Sequence, residues 1–244
     1  MKFSFIIPAY NEEKRIETCL ASIMQLPDIA EHEVLVVDNN SQDATAQIVR
    51  TKFPEVKLIT ETEQGMCIAR NKGASEATGD ILVFFDADCV IPEWWTERVT
   101  RKFEDDPGLL AVSGPYHFFD LPWYYKWVEF VDFYVLYVFV EYILNRLFHK
   151  SGLMVGGNLA VRRDAFFTIG GFDTSILFYG EDMDIAERLM KLGRVRYHIG
   201  LWVGSSARRL LAGNPLKQGF WYLFSYVWYL TVGESRGKRY EEVR

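Results

Sequence analysis

The segment ILVFFDAD at residues 81–88 joins an apolar run directly to two carboxylates, Asp86 and Asp88. Isoleucine, valine and phenylalanine favour β-structure, and a run without polar alternation is typical of a strand buried on both faces. Similar short runs, separated by segments of helical periodicity, lie at residues 3–7, 34–37, 56–59 and 110–113. Strands that alternate with helices are typical of βαβ units, so the sequence predicts an α/β fold with a mostly parallel sheet flanked by helices.

Two short patterns predict how the helices begin and pack. Asn11 precedes Glu12 and Glu13, and asparagine is a favoured N-cap residue, so we expect it to cap the first helix. Small residues recur at helical spacing at Ala69, Gly73 and Ala77. This stripe predicts a helix that lies close to the sheet.

The composition excludes several classes of protein. The 244 residues carry a net charge of -6 and are 49% hydrophobic and 25% charged, which argues against a disordered or collagen-like chain and against a nucleic-acid partner. Cys19, Cys67 and Cys89 lack CxxC spacing, so we expect neither a disulfide framework nor a zinc site, and a reducing, cytoplasmic location. Pro8 cuts the first apolar run, so we expect no signal peptide there.

Two segments, residues 121–149 and 219–233, are rich in aromatic residues. Charged residues interrupt the first, and the second would span only about 22 Å as a helix, against about 30 Å for a hydrocarbon core. Neither is therefore predicted to cross a bilayer. Two alternatives stay open for them: burial in the core or in a homodimer contact, and peripheral attachment at the cytoplasmic membrane face.

Polar residues follow three of the predicted strands, at residues 8–12, 38–41 and 86–88. Parallel sheets bind ligands at the carboxyl ends of their strands, so we expect these residues to form one site. No GxxxxGK[ST] loop and no GxGxxG after a strand is present, which removes the usual P-loop and dinucleotide interpretations. Asp86 and Asp88 leave a strand at i and i+2, and such a pair can share one hard divalent cation that bridges a diphosphate.

A second acidic set, Glu181, Asp182 and Asp184, opens a predicted helix over residues 181–192. One interpretation is that these carboxylates stabilise the helix N-terminus. The other is that one of them is a general base that takes a proton from an attacking hydroxyl. Glycine pairs at residues 156–157 and 170–171 indicate turns or a close approach of the backbone, and an exposed loop against a bulky polar ligand would need the same residues.

Eight motifs, in this order, resemble the family 2 glycosyltransferases of the GT-A fold. They are IPAYNEE at residues 7–13, VDNNSQDAT at 37–45, ARN at 69–71, GD at 79–80, FDAD at 85–88, GGN at 156–158, GGFD at 170–173 and EDMD at 181–184. With this resemblance we expect a GT-A type, Rossmann-like sheet with an aromatic helical insertion and a helical C-terminal segment. The resemblance implies inverting transfer of a sugar from a nucleoside diphosphate sugar to a hydroxyl of a glycan or lipid-linked acceptor.

On the donor side, the resemblance implies a nucleotide pocket and a metal site. The pocket would be lined by Pro8, Tyr10, Glu12, Asp38, Arg70 and Asp86. Asp38 also suits base recognition by its position, because a carboxylate at a strand end can accept an N–H from uracil or guanine. A divalent cation, Mn²⁺ or Mg²⁺, is implied at Asp88 and Asp86.

On the acceptor side, Asp182 falls where the family keeps its catalytic base, with Glu181 beside it. Gly157 and Asn158 fall on the side of the sugar and the acceptor. The implied division of the chain is a nucleotide-sugar-binding half at residues 1–115, an acceptor-side half of the same domain at 116–215, and an aromatic C-terminal helical segment at 216–244.

The sequence departs from the family at one metal ligand. Family members often supply a histidine after the catalytic helix, but residues 201–209 contain none, and His198 lies slightly early. Arg208 and Arg209 follow there instead. They either help to neutralise phosphate or lie in a solvated turn.

Two other functions stay open as alternatives. A sugar nucleotidyltransferase would need a phosphate loop rich in glycine and arginine after the first strand, and residues 8–13 lack one. A catalytically silent nucleotide-sugar or glycan-binding module would have no reason to keep both acidic sets.

Overall fold

The structure is a computed structural model that describes residues 1–131, 154–176 and 180–212. Its strands are β1 (Phe3–Ala9), β2 (Glu33–Asp38), β3 (Lys57–Thr60), β4 (Ile81–Phe85), β5 (Leu109–Ser113), β6 (Tyr116–Phe118), β7 (Asn158–Arg162), β8 (Arg194–Tyr197) and β9 (Val203–Ser205). Its α-helices are α1 (Ile16–Met24), α2 (Thr45–Lys52), α3 (Met66–Glu76), α4 (Trp95–Asp105), α5 (Lys126–Glu129), α6 (Arg163–Thr168), α7 (Glu181–Met190) and α8 (Arg208–Leu211).

Seven strands form one sheet in the order β3-β2-β1-β4-β7-β5-β8. The neighbours β3-β2, β2-β1, β1-β4 and β5-β8 are parallel, so the prediction of a mostly parallel sheet is confirmed. β6 and β9 form a second, two-stranded sheet. The chain winds outward from β1 to β3 on one side and continues with β4 on the other. Sheets of this kind typically have their ligand crevice where the winding changes direction, here between β1 and β4 at the carboxyl ends of the strands.

The strand β7 runs against its neighbours β4 and β5. Its first residue, Asn158, therefore pairs with Phe85, the last residue of β4. This antiparallel pairing brings the turn before β7 to the same edge of the sheet as the carboxyl ends of the parallel strands.

Helices cover both faces of the large sheet. On one face α1, α2 and α4 bury apolar side chains such as Leu20, Val49 and Trp95 against the strands. On the other face α3, α6 and α7 bury side chains such as Phe166 and Leu189. Burial of these side chains is the main stabilising contribution to the three layers.

Helix α3 approaches the sheet closely at Gly73. A Cβ atom there would lie 2.4 Å from Cγ2 of Ile6 on β1 and 3.0 Å from Cγ2 of Val37 on β2. The close packing predicted from the small-residue stripe is confirmed at this position. It sets how far the side chains of α3 reach over the sheet edge.

The prediction that Asn11 caps α1 is wrong, because the helix begins at Ile16 and Arg15 occupies its N-cap position. Asn11 has a φ of 54°. Its backbone N–H donates to the Ser41 hydroxyl at 3.0 Å, and its Oδ1 accepts the Gln42 N–H at 2.8 Å. These bonds hold the β1–α1 loop against the β2–α2 loop and delay the start of the helix.

The aromatic segments lie only partly within the described residues. Residues 132–149 and 219–233 fall outside them, as does the whole predicted segment 216–244. Among the helices that the structure describes, none has the length and apolar composition to cross a membrane. The described part carries an exposed cluster, here called the aromatic surface, that consists of Phe119, Trp123, Tyr124, Trp127, Phe130 and Val131.

Glu33, the first residue of β2, joins three segments at the opposite edge of the sheet. Its Oε1 accepts hydrogen bonds from the Ser4 hydroxyl at 2.5 Å, from the Thr78 N–H at 2.6 Å and from the Gly79 N–H at 3.0 Å. Burial raises the pKa of Glu33, but the hydrogen bonds outweigh burial and hold this pKa below its ordinary value.

Replacing Glu33 with glutamine is expected to lower the free energy of unfolding at neutral pH by about 2 kcal/mol, because hydrogen bonds to the charged carboxylate are lost. A carboxyl group with a depressed folded-state pKa stabilises the fold above its unfolded pKa, and this stabilisation is lost as the pH falls through the folded pKa. Urea unfolding should therefore separate wild type from Glu33→Gln clearly at pH 7, and the difference between the two should be smaller at pH 3. An equal difference at both pH values would contradict this role.

Candidate active site

The polar segments predicted from the sequence meet at the edge where β1, β2 and β4 end. Pro8 and Tyr10 flank the last residue of β1 and are half-buried. Asp38 ends β2, is buried, and accepts the Ser41 N–H at 3.3 Å. Asp38 lies next to β1 in the sheet, and the acidic groups after β4 lie on the other side of β1. Asp38 and Asp86 therefore lie on either side of the end of β1, at the sheet edge where folds of this kind bind ligands.

Arg70, on α3, joins the two acidic pairs. Its side chain is almost completely buried. Nη2 donates to Asp86 Oδ1 at 3.0 Å, Nη1 lies 3.6 Å from Glu181 Oε1, and the guanidinium carbon lies 5.2 Å from the centroid of the Phe172 ring. Side chains that are far apart in the sequence thus surround one buried guanidinium group, that of Arg70.

Asp86 is held as a carboxylate by its neighbours. Its second oxygen, Oδ2, accepts a hydrogen bond from the Tyr116 hydroxyl at 2.8 Å. Burial opposes ionisation, but the charges of Arg70 and Arg209 and the Tyr116 hydrogen bond outweigh it and lower the pKa of Asp86 below its ordinary value. Asp86 therefore stays charged at neutral pH.

Gly156 and Gly157 allow the turn before β7 to cross this cluster. A Cβ atom at Gly157 would lie 2.2 Å from Tyr116 Oη and 2.3 Å from Asp86 Oδ2. A Cβ atom at Gly156 would lie 2.8 Å from Arg70 Nη1. The glycine pair is therefore required by close approach of the backbone to the side chains of this cluster, and a role of the turn against a polar ligand stays a prediction.

Asp88 lies beside a second arginine, Arg208 of α8. Arg208 Nη2 lies 3.3 Å from Asp88 Oδ2, and Arg208 also binds Glu12 through both Nη atoms, with Nη1 at 2.8 Å from Oε2. Burial and the negative charges of Asp86 and Glu12, opposed by Arg208, raise the pKa of Asp88 to about 6. Burial is the largest cause of this rise in pKa, and the neighbouring carboxylates add to it.

The donor set at this edge suits a divalent cation. Five carboxylates lie along this edge, those of Glu12, Asp86, Asp88, Glu181 and Asp182, against three guanidinium groups, which belong to Arg70, Arg208 and Arg209. Excess negative charge with oxygen-only ligands favours a hard cation such as Mg²⁺ or Mn²⁺. Within residues 1–131, 154–176 and 180–212, no group of three or more histidine, cysteine or acidic side chains is arranged to hold a metal, so substrate oxygens would complete the coordination shell.

The other acidic pair, Glu181 and Asp182, lies in the first turn of α7, as predicted. Asp182 Oδ1 accepts the N–H of Met183 at 2.9 Å. Burial and the charge of Glu181, opposed by Arg70, raise the pKa of Asp182 to about 7. Asp182 can therefore accept a proton near neutral pH, as a general base must, while the position of the pair also stabilises the helix N-terminus.

Two side chains hold the loop that leads to α7. Asn71, next to Arg70, donates to the Phe172 carbonyl at 2.8 Å and accepts the Phe172 N–H at 2.9 Å. Arg188 of α7 donates to the carbonyls of Ile169 and Gly171 at 2.8 and 2.6 Å. The loop is thus bound to α3 at one end and to α7 at the other, which keeps Glu181 near Arg70.

Asn158, expected on the substrate side, is completely buried. Its Nδ2 donates to the Leu201 carbonyl at 2.7 Å and to the Pro115 carbonyl at 3.4 Å, and its Oδ1 accepts the Trp95 indole N–H at 3.2 Å. The amide is therefore fully used by the protein. Asn158 holds the segments around Pro115 and Leu201 against β7, and through them it positions the turn that carries Gly157.

Sequence reasoning missed Tyr116 and Asn71 as members of the site. Tyr116 was one of many aromatic residues after Pro115, and nothing local marks it as the partner of Asp86. Asn71 was part of the ARN motif, but its contact with Phe172 joins two motifs distant in the sequence. Glu12 was expected to face the nucleotide, whereas the structure pairs its carboxylate with Arg208.

Comparison with known proteins identifies the family. Residues 4–170 match glycosyl transferase family 2, so the chain belongs to that family. It is 40% identical over 116 residues to glycosyltransferase AglE of Haloferax volcanii, and this match covers 46% of this chain and 35% of AglE. It is 41% identical over 96 residues to a dolichol-phosphate mannosyltransferase of Pyrococcus furiosus, and this match covers 38% of this chain and 27% of that protein.

The fold matches solved glycosyltransferase structures of the GT-A type. One is the mannosyltransferase PcManGT from Pyrobaculum calidifontis in complex with GDP-Man and Mn²⁺, with a TM-score of 0.65 and 25% identity. The match covers 91% of this chain and 64% of PcManGT. The matched segments thus span only part of these relatives, about a third of the length of AglE.

Replacing Asn158 with alanine is expected to lower the free energy of unfolding by about 3 kcal/mol, because buried donors and acceptors lose their partners. Chemical denaturation measures this change. Trp95→Phe removes the donor to Oδ1 together with part of a buried ring and leaves both carbonyl contacts of Asn158 in place, so its loss of stability combines one hydrogen bond with lost packing. Unchanged stability of Asn158→Ala together with lost ligand affinity would instead assign Asn158 to the substrate.

Proposed function

We propose that this chain is the catalytic region of an inverting glycosyltransferase that moves a sugar from a nucleoside diphosphate sugar to a hydroxyl group. The observation that carries the proposal is the position of the buried Arg70 between Asp86 and Glu181. Through these ion pairs, the acidic pair proposed for the metal and diphosphate lies next to the helix turn that carries the candidate base, Asp182. Membership of glycosyl transferase family 2 supports it, as does the likeness to a structure with GDP-Man and Mn²⁺.

On the donor side, Asp88 and Asp86 are proposed to hold a divalent cation, Mn²⁺ or Mg²⁺, together with diphosphate oxygens. When bound, this cation supplies positive charge for the departing diphosphate. Pro8, Tyr10 and Asp38 are proposed to line the part of the crevice that takes the nucleoside. Arg70 is fixed by two carboxylates, so it contributes charge to the diphosphate side without reorganising.

On the acceptor side, Asp182 is proposed to accept the proton of the attacking hydroxyl. The new bond forms between the acceptor oxygen and the anomeric carbon while the bond to the diphosphate oxygen breaks, and the electron pair leaves with the nucleoside diphosphate. Attack from the opposite face inverts the anomeric carbon, so no covalent enzyme intermediate forms. Glu181 holds Arg70 and so positions Asp182, and Gly157 lets the turn before β7 pass close to Asp86, which is where we propose that the sugar lies.

Replacing Asp182 with asparagine is expected to retain nucleotide binding and to lower transfer by a factor of about 10²–10⁴, the range for a positioned acid or base. In wild type, the pKa of about 7 predicts that kcat rises with pH until Asp182 is ionised. Nucleotide release from a panel of nucleotide sugars, with and without Mn²⁺ or Mg²⁺, measures transfer and its pH dependence, and calorimetry with nucleoside diphosphates measures nucleotide binding. Normal transfer by Asp182→Asn would show that the base is another residue.

Asp88→Ala is the contrasting variant in the same measurements of nucleotide binding and transfer. It should lose the cation-dependent part of nucleotide binding, whereas Asp182→Asn should keep it. Release of pyrophosphate from a nucleoside triphosphate would support a nucleotidyltransferase instead. Ligand binding without turnover on any acceptor would support a silent binding module.

A lipid-linked acceptor at the cytoplasmic membrane face is the acceptor class that we propose. The aromatic surface carries Trp123, Tyr124, Trp127, Phe130 and Val131 at helical spacing, and their exposure ranges from 42% to 84%. Tryptophan and tyrosine favour the interface between water and lipid. The related dolichol-phosphate mannosyltransferase carries a lipid phosphate in its name. The net charge of -6 disfavours attraction to anionic lipids, so the contact would be mainly apolar.

Flotation with liposomes of neutral lipid is expected to carry the protein upward, and the double variant Trp123→Ser, Trp127→Ser is expected to stay at the bottom, because it loses its apolar contact area. Phe167→Ser removes an exposed aromatic ring from α6 and is the matched control, expected to float like wild type. Wild type that stays wholly soluble would contradict membrane contact. Concentration-dependent dimerisation lost in the same double variant would assign the aromatic surface to a homodimer.

A further inference from the structure

Arg208, in the last helix that the structure describes, lies beside the candidate donor site. It lies in α8, which follows β9, and it reaches across to Glu12 in the loop after β1. Both Nη atoms bind the Glu12 carboxylate, and Nη2 also lies 3.3 Å from Asp88 Oδ2. The guanidinium group is therefore placed within reach of the carboxylate that is proposed to hold the cation.

Both oxygens of the Glu12 carboxylate are engaged by this contact. One of its oxygens faces each Nη atom of Arg208, and its backbone N–H donates to the Thr45 hydroxyl at 2.8 Å. A carboxylate bound through both oxygens to an arginine fork has fixed geometry. It also repels phosphate, so a direct contact between the Glu12 side chain and a diphosphate is unfavourable.

Arg208, in contrast, keeps one side-chain donor that has no hydrogen-bond partner among the described residues. This donor is its buried Nε. Its contact with Asp88 at 3.3 Å is long for a charge-assisted hydrogen bond, which is usually about 2.7–2.9 Å. The side chain is mostly covered, and the segment before it is held because Asp120 accepts hydrogen bonds from the Ser206 hydroxyl and the Ala207 N–H, both at 2.6 Å. An anion beside Asp88 would meet a pre-oriented cation.

We infer that Arg208 binds the diphosphate of the nucleotide sugar and that Glu12 is a positioning residue that aims this arginine. The inference rests on the proposed function and deepens its donor site. It replaces the expectation that Glu12 itself lines the nucleotide. It also gives a physical reason for an arginine in the region where the family often supplies a metal-binding histidine, since both side chains can bring positive charge to the same oxygens.

Calorimetry of the full chain with UDP, GDP and CDP in the presence of Mn²⁺, and with the matching nucleosides, tests this inference. Arg208→Ala is expected to weaken binding of the preferred diphosphate by about 10- to 100-fold, as for a lost hydrogen bond between charged groups, and to leave nucleoside binding unchanged. Arg208→Lys should recover only part of this loss, because lysine keeps the charge without the planar fork.

Glu12→Gln separates positioning from simple charge. If Glu12 only repels phosphate, its neutralisation should strengthen diphosphate binding. If Glu12 aims Arg208, the same change should weaken diphosphate binding by about 3- to 10-fold, and it should have little further effect in the Arg208→Ala background. Arg101→Ala removes an exposed arginine of α4 that pairs with Glu97, and it is the control with no expected effect.

Unchanged diphosphate binding in Arg208→Ala, or tighter binding in Glu12→Gln, would overturn the inference while leaving the proposed function in place. A wild type that binds no nucleoside diphosphate would overturn both. Equal losses for nucleosides and diphosphates would also overturn it, because they would show a general structural effect instead of phosphate recognition. Thermal melting of each variant confirms that the folded chain is compared.

Discussion

The buried ion pairs of Arg70 are the interaction on which the candidate site depends. A guanidinium group taken out of water is costly unless carboxylates surround it, and removing one partner of such a set usually costs more than the set contributes. Asp86 and Glu181 supply the partners, and Arg70 in turn fixes where both stand. Because Gly73 lets α3 lie against β1, the packing of one helix sets the position of the charge that joins the donor side to the candidate base.

The carboxylates around Arg70 differ in their protonation because their surroundings differ. Asp86 has two arginines and a tyrosine hydroxyl near it, so its pKa is lowered, whereas burial and Glu181 raise that of Asp182. Environments that push the pKa values of neighbouring acids apart are typical of sites where one group holds charge and another moves a proton. The two roles proposed for these acids follow from that separation.

The local patterns of the sequence predict the strands and the sheet edge well, because buried strands and their polar ends are visible in short windows. The β4 strand, the Asp86-Asp88 pair and the start of α7 at Glu181 all follow in this way. What pairs across the fold leaves no local signal: the Tyr116 contact with Asp86, the Glu12–Arg208 pair and the burial of Asn158. The prediction that Asn11 caps the first helix is wrong for the same reason, because the hydrogen-bond partners of Asn11 lie in the β2–α2 loop, distant in the sequence.

The pKa of Asp182, measured by carboxyl ¹³C NMR in wild type, Arg70→Met and Arg70→Lys, tests the central role of Arg70 most directly. Arg70 lowers the pKa of Asp182, so its replacement by methionine should raise that pKa above the wild-type value of about 7, while lysine should keep it close to wild type. The same titration curve for Asp182 in all three folded proteins would contradict the account, because it would show that the buried arginine does not act on the proposed base.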